Sequence, residues 1–338
     1  MTLRVGVIGL GVGEQHVVGY EAHPQAEVVA ICDRDEQKLA EVGERYPRAR
    51  RLTDAVELLA EPELDVVSIA SYDSDHHEQV VATLGAGRHV FVEKPLCTSA
   101  AELAEIESLL AERPQLRLSS NLPLRRSPRF LEVRELIRSG GLGRLFYLEA
   151  DYEYGRLWKL TEGWRGDLER YSVMLGGGVH MIDLLLWWTG ERVLEVSAIG
   201  NRIATEGSKY SHDDLVLASL RLQSGAIAKV SANFGCVHPH YHAVKVFGTE
   251  GTFINGLERG IVYRGDSKQM SSESIEAAYP GVAKSVLVAP FVDSIVAGSE
   301  PEIGAEAVIE TMTVCLAIDR ALAEGGTVAV AKQARGPR

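Results

Sequence analysis

Lys94 and His180 are of residue types that can move a proton near neutral pH, and their sequence settings single them out. A lysine or histidine serves as general acid or base when its surroundings bring its pKa toward the working pH. Lys94 follows the apolar run His89–Glu93 and precedes Pro95. Successive strand residues point to opposite faces, which argues against a simple Glu93–Lys94 pair. Pro95 would fix the direction of the loop, a cis peptide being one way to do it. His180 follows Gly176, Gly177 and Gly178 and opens a strongly apolar helix. Asp183 lies one turn further on the same helical face, within reach of the imidazole. The competing reading of His180 is a capping or core residue.

A ligand is implied by the opening stretch Arg4-Val-Gly-Val-Ile-Gly-Leu-Gly-Val-Gly-Glu-Gln-His16. A short buried strand runs into Gly9, Leu10, Gly11, Val12 and Gly13. Glycines there allow a tight turn and close backbone approach, and a helix starting near Gly13 aims its free N–H groups at a pyrophosphate. The usual spacing is G-x-G-x-x-G; here Glu14 holds the sixth position and the third glycine comes one place early. A second apolar strand, Val28–Cys32, ends at Asp33, at the spacing expected for a carboxylate on the adenosine ribose hydroxyls. The stretch reads as a dinucleotide site. Asp33 would repel a 2′-phosphate, so NAD is expected over NADP, although Arg34 could bind that phosphate.

These residues need elements to position them. The first third alternates short apolar strands (Arg4–Ile8, Val28–Cys32, Asp65–Ala70, His89–Glu93, Leu116–Ser120) with helical stretches (Glu14–His23, Glu36–Arg45, Asp54–Ala60, His77–Gly85, Ala100–Glu112). That alternation predicts a doubly wound parallel sheet with its ligands beyond the carboxyl ends of the strands. After Asn121 the texture changes. Ser127-Pro128 starts a helix, and runs rich in β-branched and aromatic residues then predict a mostly antiparallel sheet, interrupted by the helix Val179–Thr189. Gln223-Ser224-Gly225 reads as a hairpin turn. Helices Pro290–Ala297 and Ala305–Ala323 close the chain, and Lys332–Arg338 is expected to fray. The 338 residues are therefore expected to divide into domains 1–121 and 122–338, with the last helices able to pack back on the first. A net charge of −12 argues against a nucleic-acid or membrane surface. The four cysteines, Cys32, Cys97, Cys236 and Cys315, have no C-x-x-C spacing and read as free, mostly buried thiols of a reducing compartment, the cytoplasm. No apolar run reaches spanning length, and the apolar start reads as strand rather than signal segment.

Taken together, the glycine turn, His76, Glu93-Lys94-Pro95, Trp164-Arg165 and Gly178-Val-His180-Met-Ile-Asp183 resemble the glucose–fructose oxidoreductase/inositol dehydrogenase (Gfo/Idh/MocA) family. The resemblance runs through Val246–Phe253 to the last helix and is most specific in Ala86–Leu96. It implies an N-terminal α/β domain of Rossmann type and a C-terminal α+β domain whose large, open, mostly antiparallel sheet forms the interface of a homodimer or homotetramer. It further implies NAD(P)-dependent hydride transfer from a secondary hydroxyl of a sugar, cyclitol or nucleotide sugar. Two other classes stay open: an NAD-retaining glycosidase or lyase with transient oxidation, and a non-catalytic NAD- or sugar-sensing regulator.

Residue by residue, the resemblance places Lys94 beside the nicotinamide and the substrate hydroxyl, as base or electrostatic partner, and makes His180 a proton donor or acceptor, with Asp183 beside it. The inositol dehydrogenase-like pattern has an aspartate four residues before this histidine, where this chain has Gly176. Asp183, Asp167 and Tyr171 are the candidates to replace it. The loop Ser71-Tyr-Asp-Ser-Asp-His76 departs from the common Thr-Pro-Asn-x-x-His, with Tyr72 in place of the proline. In relatives this loop borders the nicotinamide. Ser71, Tyr72, His76, Glu93, Lys94, Pro95 and Asn121 thus join the glycine turn, Asp33 and Arg34 as expected cofactor residues. Arg125, Tyr152, Arg156, Trp164 and Arg165 join Lys94 and His180 on the substrate side, since sugars stack on aromatic rings and arginines clamp anions. His238-Pro-His240-Tyr-His242 would share one face if extended and could then hold a metal. Pro239 favours a hairpin corner with a substrate-side or interface role, so no metal is expected.

Overall fold

Strands buried on both faces need uninterrupted apolar runs, and the first unit is built from such strands. The computed structural model describes residues 2–266 and 268–330. In chain order the first elements are β1 (Leu3–Ile8), α1 (Gly13–Glu21), β2 (Ala26–Cys32), α2 (Glu36–Arg45), β3 (Arg50–Leu52), α3 (Ala55–Leu59), β4 (Val66–Ile69), α4 (His76–Gly85), β5 (His89–Val92), α5 (Ala100–Glu112) and β6 (Leu118–Ser120). Among the described residues these strands form a six-stranded parallel sheet in the order β3-β2-β1-β4-β5-β6. The order reverses direction at β1, the switch point where such sheets bind ligands. β4 is buried throughout. β3 was not expected: it is three residues long and two of them are exposed arginines. Caps set the helix starts. Asp35 accepts from Lys38 N at 3.1 Å, and Asp54 accepts from Val56 N at 2.8 Å. Ser99 and Glu102 form a reciprocal capping box at the start of α5.

The next elements are α6 (Pro128–Arg138), β7 (Leu145–Glu153), α7 (Trp158–Thr161), α8 (Val179–Thr189), β8 (Val193–Asn201), β9 (Leu215–Leu222), β10 (Ile227–Asn233), β11 (Tyr241–Gly248), β12 (Gly251–Asn255), β13 (Gly260–Asp266) and β14 (Gln269–Ile275). α9 (Val288–Ala297), α10 (Ala305–Glu324) and β15 (Thr327–Ala329) follow. The second sheet, nine strands among the described residues, has the order β14-β13-β12-β11-β7-β10-β9-β8-β15 and is antiparallel except for the β7–β10 pair. One face is buried and one is not. Along β9, Val216, Ala218, Leu220 and Leu222 are buried while Leu217, Ser219 and Arg221 are exposed. Gly225, at φ +91°, makes the expected turn into β10. Strands β12, β14 and β15 went unread in the sequence: β12 and β15 are short, and β14 is a polar edge strand exposed in all but its last residue.

The chain divides into two compact units, Met1–Pro123 with Ala283–Ile309, and Leu124–Val282 with Glu310–Arg338. Within the first, α9 packs on α1. The expected fraying of Lys332–Arg338 lies outside the described residues. Ser99→Ala removes half of the α5 capping box and should destabilise the first unit by about 1 kcal/mol, read as a lower urea midpoint at unchanged slope.

Candidate active site

The glycine turn leaves β1 at Gly9, whose φ is +82°. A Cβ there would lie 2.4 Å from the Ala70 carbonyl oxygen, so only glycine fits. Gly11 faces open space, with nothing within 4 Å of its Cβ position. Gly13 takes the close helix–strand contact, its Cβ position being 3.1 Å from Ala70 Cβ and 3.2 Å from Val7 Cγ1. That explains the early third glycine. Glu14, in the position glycine would usually hold, reaches Lys38 and Arg45 of α2. Hydrogen bonds from Arg45 and Lys38 hold its carboxyl down at about 2. The Asp33 carboxylate is fixed by Leu10 N at 2.6 Å and Asp35 N at 2.9 Å. Arg34 donates to Asp75 at 2.9 Å on the surface, an engagement that competes with a phosphate.

Lys94 follows β5 directly, at the carboxyl edge of the sheet, and the Lys94–Pro95 peptide is cis. Beside it the Glu93 carboxylate accepts from Asn121 Nδ2 at 2.6 Å and lies 3.2 Å from His16 Nε2. Burial alone would raise the Glu93 pKa. The hydrogen bond and charge of His16, the Lys94 charge and the Asn121 amide outweigh it and hold the group at about 2. His16 Nδ1 lies 3.0 Å from Ser68 Oγ, which completes a buried chain Ser68–His16–Glu93–Asn121. Asn121 Nδ2 also donates to Lys284 O at 3.0 Å, while its buried Oδ1 has no hydrogen-bond partner among the described residues. A nicotinamide carboxamide, which needs an acceptor for its NH2, fits that atom. Ser71 Oγ donates to Gln79 at 2.8 Å, and Tyr72 is half exposed. His76 is fully buried and donates from Nδ1 to Pro95 O at 2.6 Å, with Nε2 3.3 Å from Ser71 O. It braces these two loops against each other. Burial pushes the Cys32 and Cys97 thiols up to about 12.

In the second unit a π-helical turn, Met174–Gly178, leads into α8 and His180. Its glycines let rings approach: a Cβ on Gly177 would meet the Tyr152 ring at 2.4 Å, and one on Gly176 the Tyr171 hydroxyl at 2.0 Å. The Tyr152 ring stacks against His180, centroids 6.0 Å apart and planes 25° off parallel. Tyr152 is buried among Tyr154, Phe234, His240 and His242, so it supports the site from beneath instead of offering a face to substrate. Asp183 also departs from expectation. It is buried, and it accepts from Arg125 Nε at 3.1 and 3.0 Å and from Arg125 Nη2 at 2.5 Å, with Thr311 Oγ1 at 3.5 Å. Spacing put Asp183 on the face of His180, but the buried guanidinium claims its carboxylate, and Arg125 is consumed in the same pair. Neither residue has the catalytic or substrate-binding geometry expected of it. Arg165 lies over Trp164 at 4.3 Å and donates from Nε to Tyr171 Oη at 3.0 Å, and Arg156 lies 5.4 Å from the Tyr154 ring centroid.

The family models decide what this frame is. Residues 3–121 match the oxidoreductase family with an NAD-binding Rossmann fold, and residues 130–254 match the GFO/IDH/MocA C-terminal domain. The chain belongs to the Gfo/Idh/MocA family. It is 26% identical over 314 residues to a myo-inositol 2-dehydrogenase of Thermotoga maritima, covering 90% of this chain and 91% of that one. It is 26% identical over 292 residues to a levoglucosan dehydrogenase of Pseudarthrobacter phenanthrenivorans, covering 76% and 74%. The crystal structure of a Lactobacillus casei scyllo-inositol dehydrogenase with bound NAD(H) and scyllo-inositol superposes with a TM-score of 0.82 over 98% of this chain and 100% of that one, at 20% identity, a likeness of fold. As a Gfo/Idh/MocA protein the chain is an oxidoreductase with an NAD-binding domain. No helix among the described residues is long and apolar enough to cross a membrane, and none of them form a group of three or more His, Cys, Asp or Glu able to hold a metal.

Two features of this Gfo/Idh/MocA site escaped the sequence. His16 and Ser68 lie in α1 and β4, and the only hint was a histidine in the otherwise apolar face behind the glycine turn. Ser172 and Asp319 were the other: Ser172 Oγ accepts from Met174 N and Leu175 N at 3.2 Å each and donates to Asp319 at 2.7 Å, anchoring the π-turn before His180. Burial raises Asp319 to about 6, the Ser172 bond opposing only part of it. A carboxyl raised above its unfolded value stabilises the fold fully below about pH 4 and loses that contribution as pH rises through about 6. The gain in thermal stability of Asp319→Asn over the unmodified protein should therefore be larger at pH 7.5 than at pH 4, measured by differential scanning calorimetry. Asp183→Asn or Arg125→Met should each cost about 3–5 kcal/mol by leaving a buried charge uncompensated. Changing both to apolar residues should recover much of that loss in urea denaturation.

Proposed function

We propose that this protein is an NAD-dependent dehydrogenase that oxidises a ring hydroxyl of a sugar, a cyclitol or a nucleotide sugar. The observation that carries the reading is Lys94 at the carboxyl edge of the first sheet beside the buried, unpartnered Asn121 Oδ1. A cation for a reacting oxygen and an acceptor for a carboxamide are what hydride transfer needs there. The turn Gly9 to Gly13 would hold the pyrophosphate and Asp33 the adenosine ribose. Bound NAD supplies the hydride acceptor. Asp33 opposes a 2′-phosphate and Arg34 is engaged by Asp75, so NAD is the preferred coenzyme. Lys94 is the group suited to stabilising charge on an alcohol oxygen, and His180 the group suited to taking or returning a proton. The inositol and levoglucosan dehydrogenases among the relatives support a polyhydroxylated ring as substrate.

On the second sheet Ile199 and Leu217 pair directly and are both exposed, with Phe146 and Ile227 on neighbouring strands. So apolar a face supports a homodimer or homotetramer.

NADH absorbance with purified protein, NAD or NADP, and a panel of sugars, anhydrosugars, sugar acids, inositols and nucleotide sugars tests the reading. One ring alcohol should give steady turnover with NAD at least about tenfold better than with NADP, and Lys94→Ala and His180→Ala should each lower kcat by about 10²–10⁴. Silence across the panel despite tight NAD binding would remove the dehydrogenase in favour of a bound-cofactor lyase or a sensor.

A further inference from the structure

Strand β7 leads into a turn that needs glycine, and beyond the turn two cations gather around one ring. Gly155 has a φ of +60°, and a Cβ there would lie 1.7 Å from His238 O. The chain then enters the single turn of α7, where Lys159 N donates to Arg156 O at 3.0 Å. Residues 156 and 159 are neighbours on such a turn. The Arg156 guanidinium lies 5.4 Å and the Lys159 ammonium 5.9 Å from the centroid of the buried Tyr154 ring. Lys159 also lies 5.5 Å from the ring of Trp158, which is 55% exposed. His240 packs edge-on against Tyr154 at 5.5 Å. Burial first, then the charges of Arg156 and Lys159, hold its pKa down at about 4, so both cations act on one neutral imidazole. All these residues belong to the second unit.

Like charges that are neighbours on a helical turn repel, a cost that a bound anion removes. In the same unit Lys209, Arg221, Lys229 and Lys245 each hold a carboxylate, at 2.7, 2.6, 2.8 and 3.0 Å. Arg156 and Lys159 lie over aromatic rings instead, and neither has a carboxylate partner among the described residues. A guanidinium grips an oxyanion bidentately and an ammonium adds a point charge. On a chain of net charge −12, which repels anions as a whole, such a pair is a local exception. The exposed Trp158 beside it offers a ring face on which a sugar can stack.

We propose that Arg156 and Lys159 form a subsite for a carboxylate or phosphate group, and that the ring substrate is therefore an anion. That the ligand is the substrate rests on the dehydrogenase reading above; the anion subsite belongs to the second unit alone.

The first arm of the test measures turnover with NAD on a panel that sets each uncharged ring beside its acid and its phosphate ester. The best substrate should carry the anion, with a KM about tenfold or more below that of its uncharged parent, and the better of acid and ester names the group. Arg156→Gln and Lys159→Gln should each raise that KM about tenfold with kcat changed less than about threefold, and Arg156→Lys should lose less than Arg156→Gln. An uncharged ring as best substrate overturns the proposal, and so does an anionic one whose KM neither variant moves. The second arm needs no turnover. Inorganic phosphate or acetate should raise the melting temperature of the unmodified protein above that in chloride of equal ionic strength, and the gain should vanish in the Arg156→Gln, Lys159→Gln double variant. If nothing on the panel turns over while this anion effect holds, the dehydrogenase reading fails and the subsite stands. If the anion effect is absent, or persists in the double variant, the subsite is overturned whatever the panel shows.

Discussion

The ligand edge of the first sheet depends on how closely its backbone can approach at Gly9. The Gly9 N–H donates to Cys32 O at 2.8 Å while the missing Cβ leaves room for Ala70, whose N–H donates to Ile8 O at 2.7 Å. The same extension runs across the sheet: Asp33 N to Leu52 O at 3.2 Å, Glu93 N to Ile69 O at 2.8 Å, and Asn121 N to Val92 O at 3.0 Å. Pairing thus continues one residue past β1, β2, β4, β5 and β6. Asp33, Gly9, Ala70, Glu93 and Asn121 end as one row, and the turns that follow each of them start from a common line. A side chain at residue 9 would push β1 away from β4 and break that row at its centre, which is why a single glycine bears on a ribose carboxylate at one end and on Asn121 at the other.

Each unit also keeps a carboxylate out of water beside a proposed proton-handling residue, with opposite results. Glu93 is ionised because His16, Lys94 and Asn121 together overcome its burial. Its charge faces inward to α1 and β6, so Glu93 and Asn121 become one rigid piece on which the Lys94 loop is mounted. Asp183 is more deeply buried, and a single bidentate guanidinium takes it. Ridding the interior of two charges by pairing them leaves nothing over for His180. The acid near a base in the sequence is therefore a brace for the base in one unit and unrelated to it in the other.

Much of this was legible in the residues, and the losses have physical causes. Helices Glu36–Arg45, Ala100–Glu112 and Val179–Thr189 were read to the residue, since caps and apolar periodicity act locally. The parallel sheet followed from apolar runs that only burial on both faces explains. Strands β3 and β14 owe their place to backbone pairing with a neighbour, which side-chain pattern does not record. The same limit explains the site. Lys94 could be placed because a loop after a parallel strand has one destination. Asp183 could not, because helical spacing gives the face but not the partner, and Arg125, fifty-eight residues earlier in the chain, was the nearer claim. Gly176 read as a missing acid. In space it is a vacancy that Tyr171 fills.

The histidines of β11 close the argument about charge. His242 Nδ1 lies 2.5 Å from Tyr279 Oη, which also accepts the His242 N–H at 2.8 Å. Burial raises the Tyr279 phenol, so it keeps its proton beside the His242 ring. Burial, then the neighbouring His180 and His240, push the His242 pKa well below its ordinary value. Burial, with Arg156 and Lys159, brings His240 down to about 4. Neither ring carries charge at neutral pH. That matters because the His180 and His242 centroids are 6.4 Å apart. At an effective dielectric of about 20, two positive charges at that distance would repel by about 2–3 kcal/mol, enough to set back proton uptake by His180 by roughly two orders of magnitude. A neutral His242 removes that opposition. In the fold this stretch sets the uncharged ring of His242 beside His180, with His240 packed against His242 in turn.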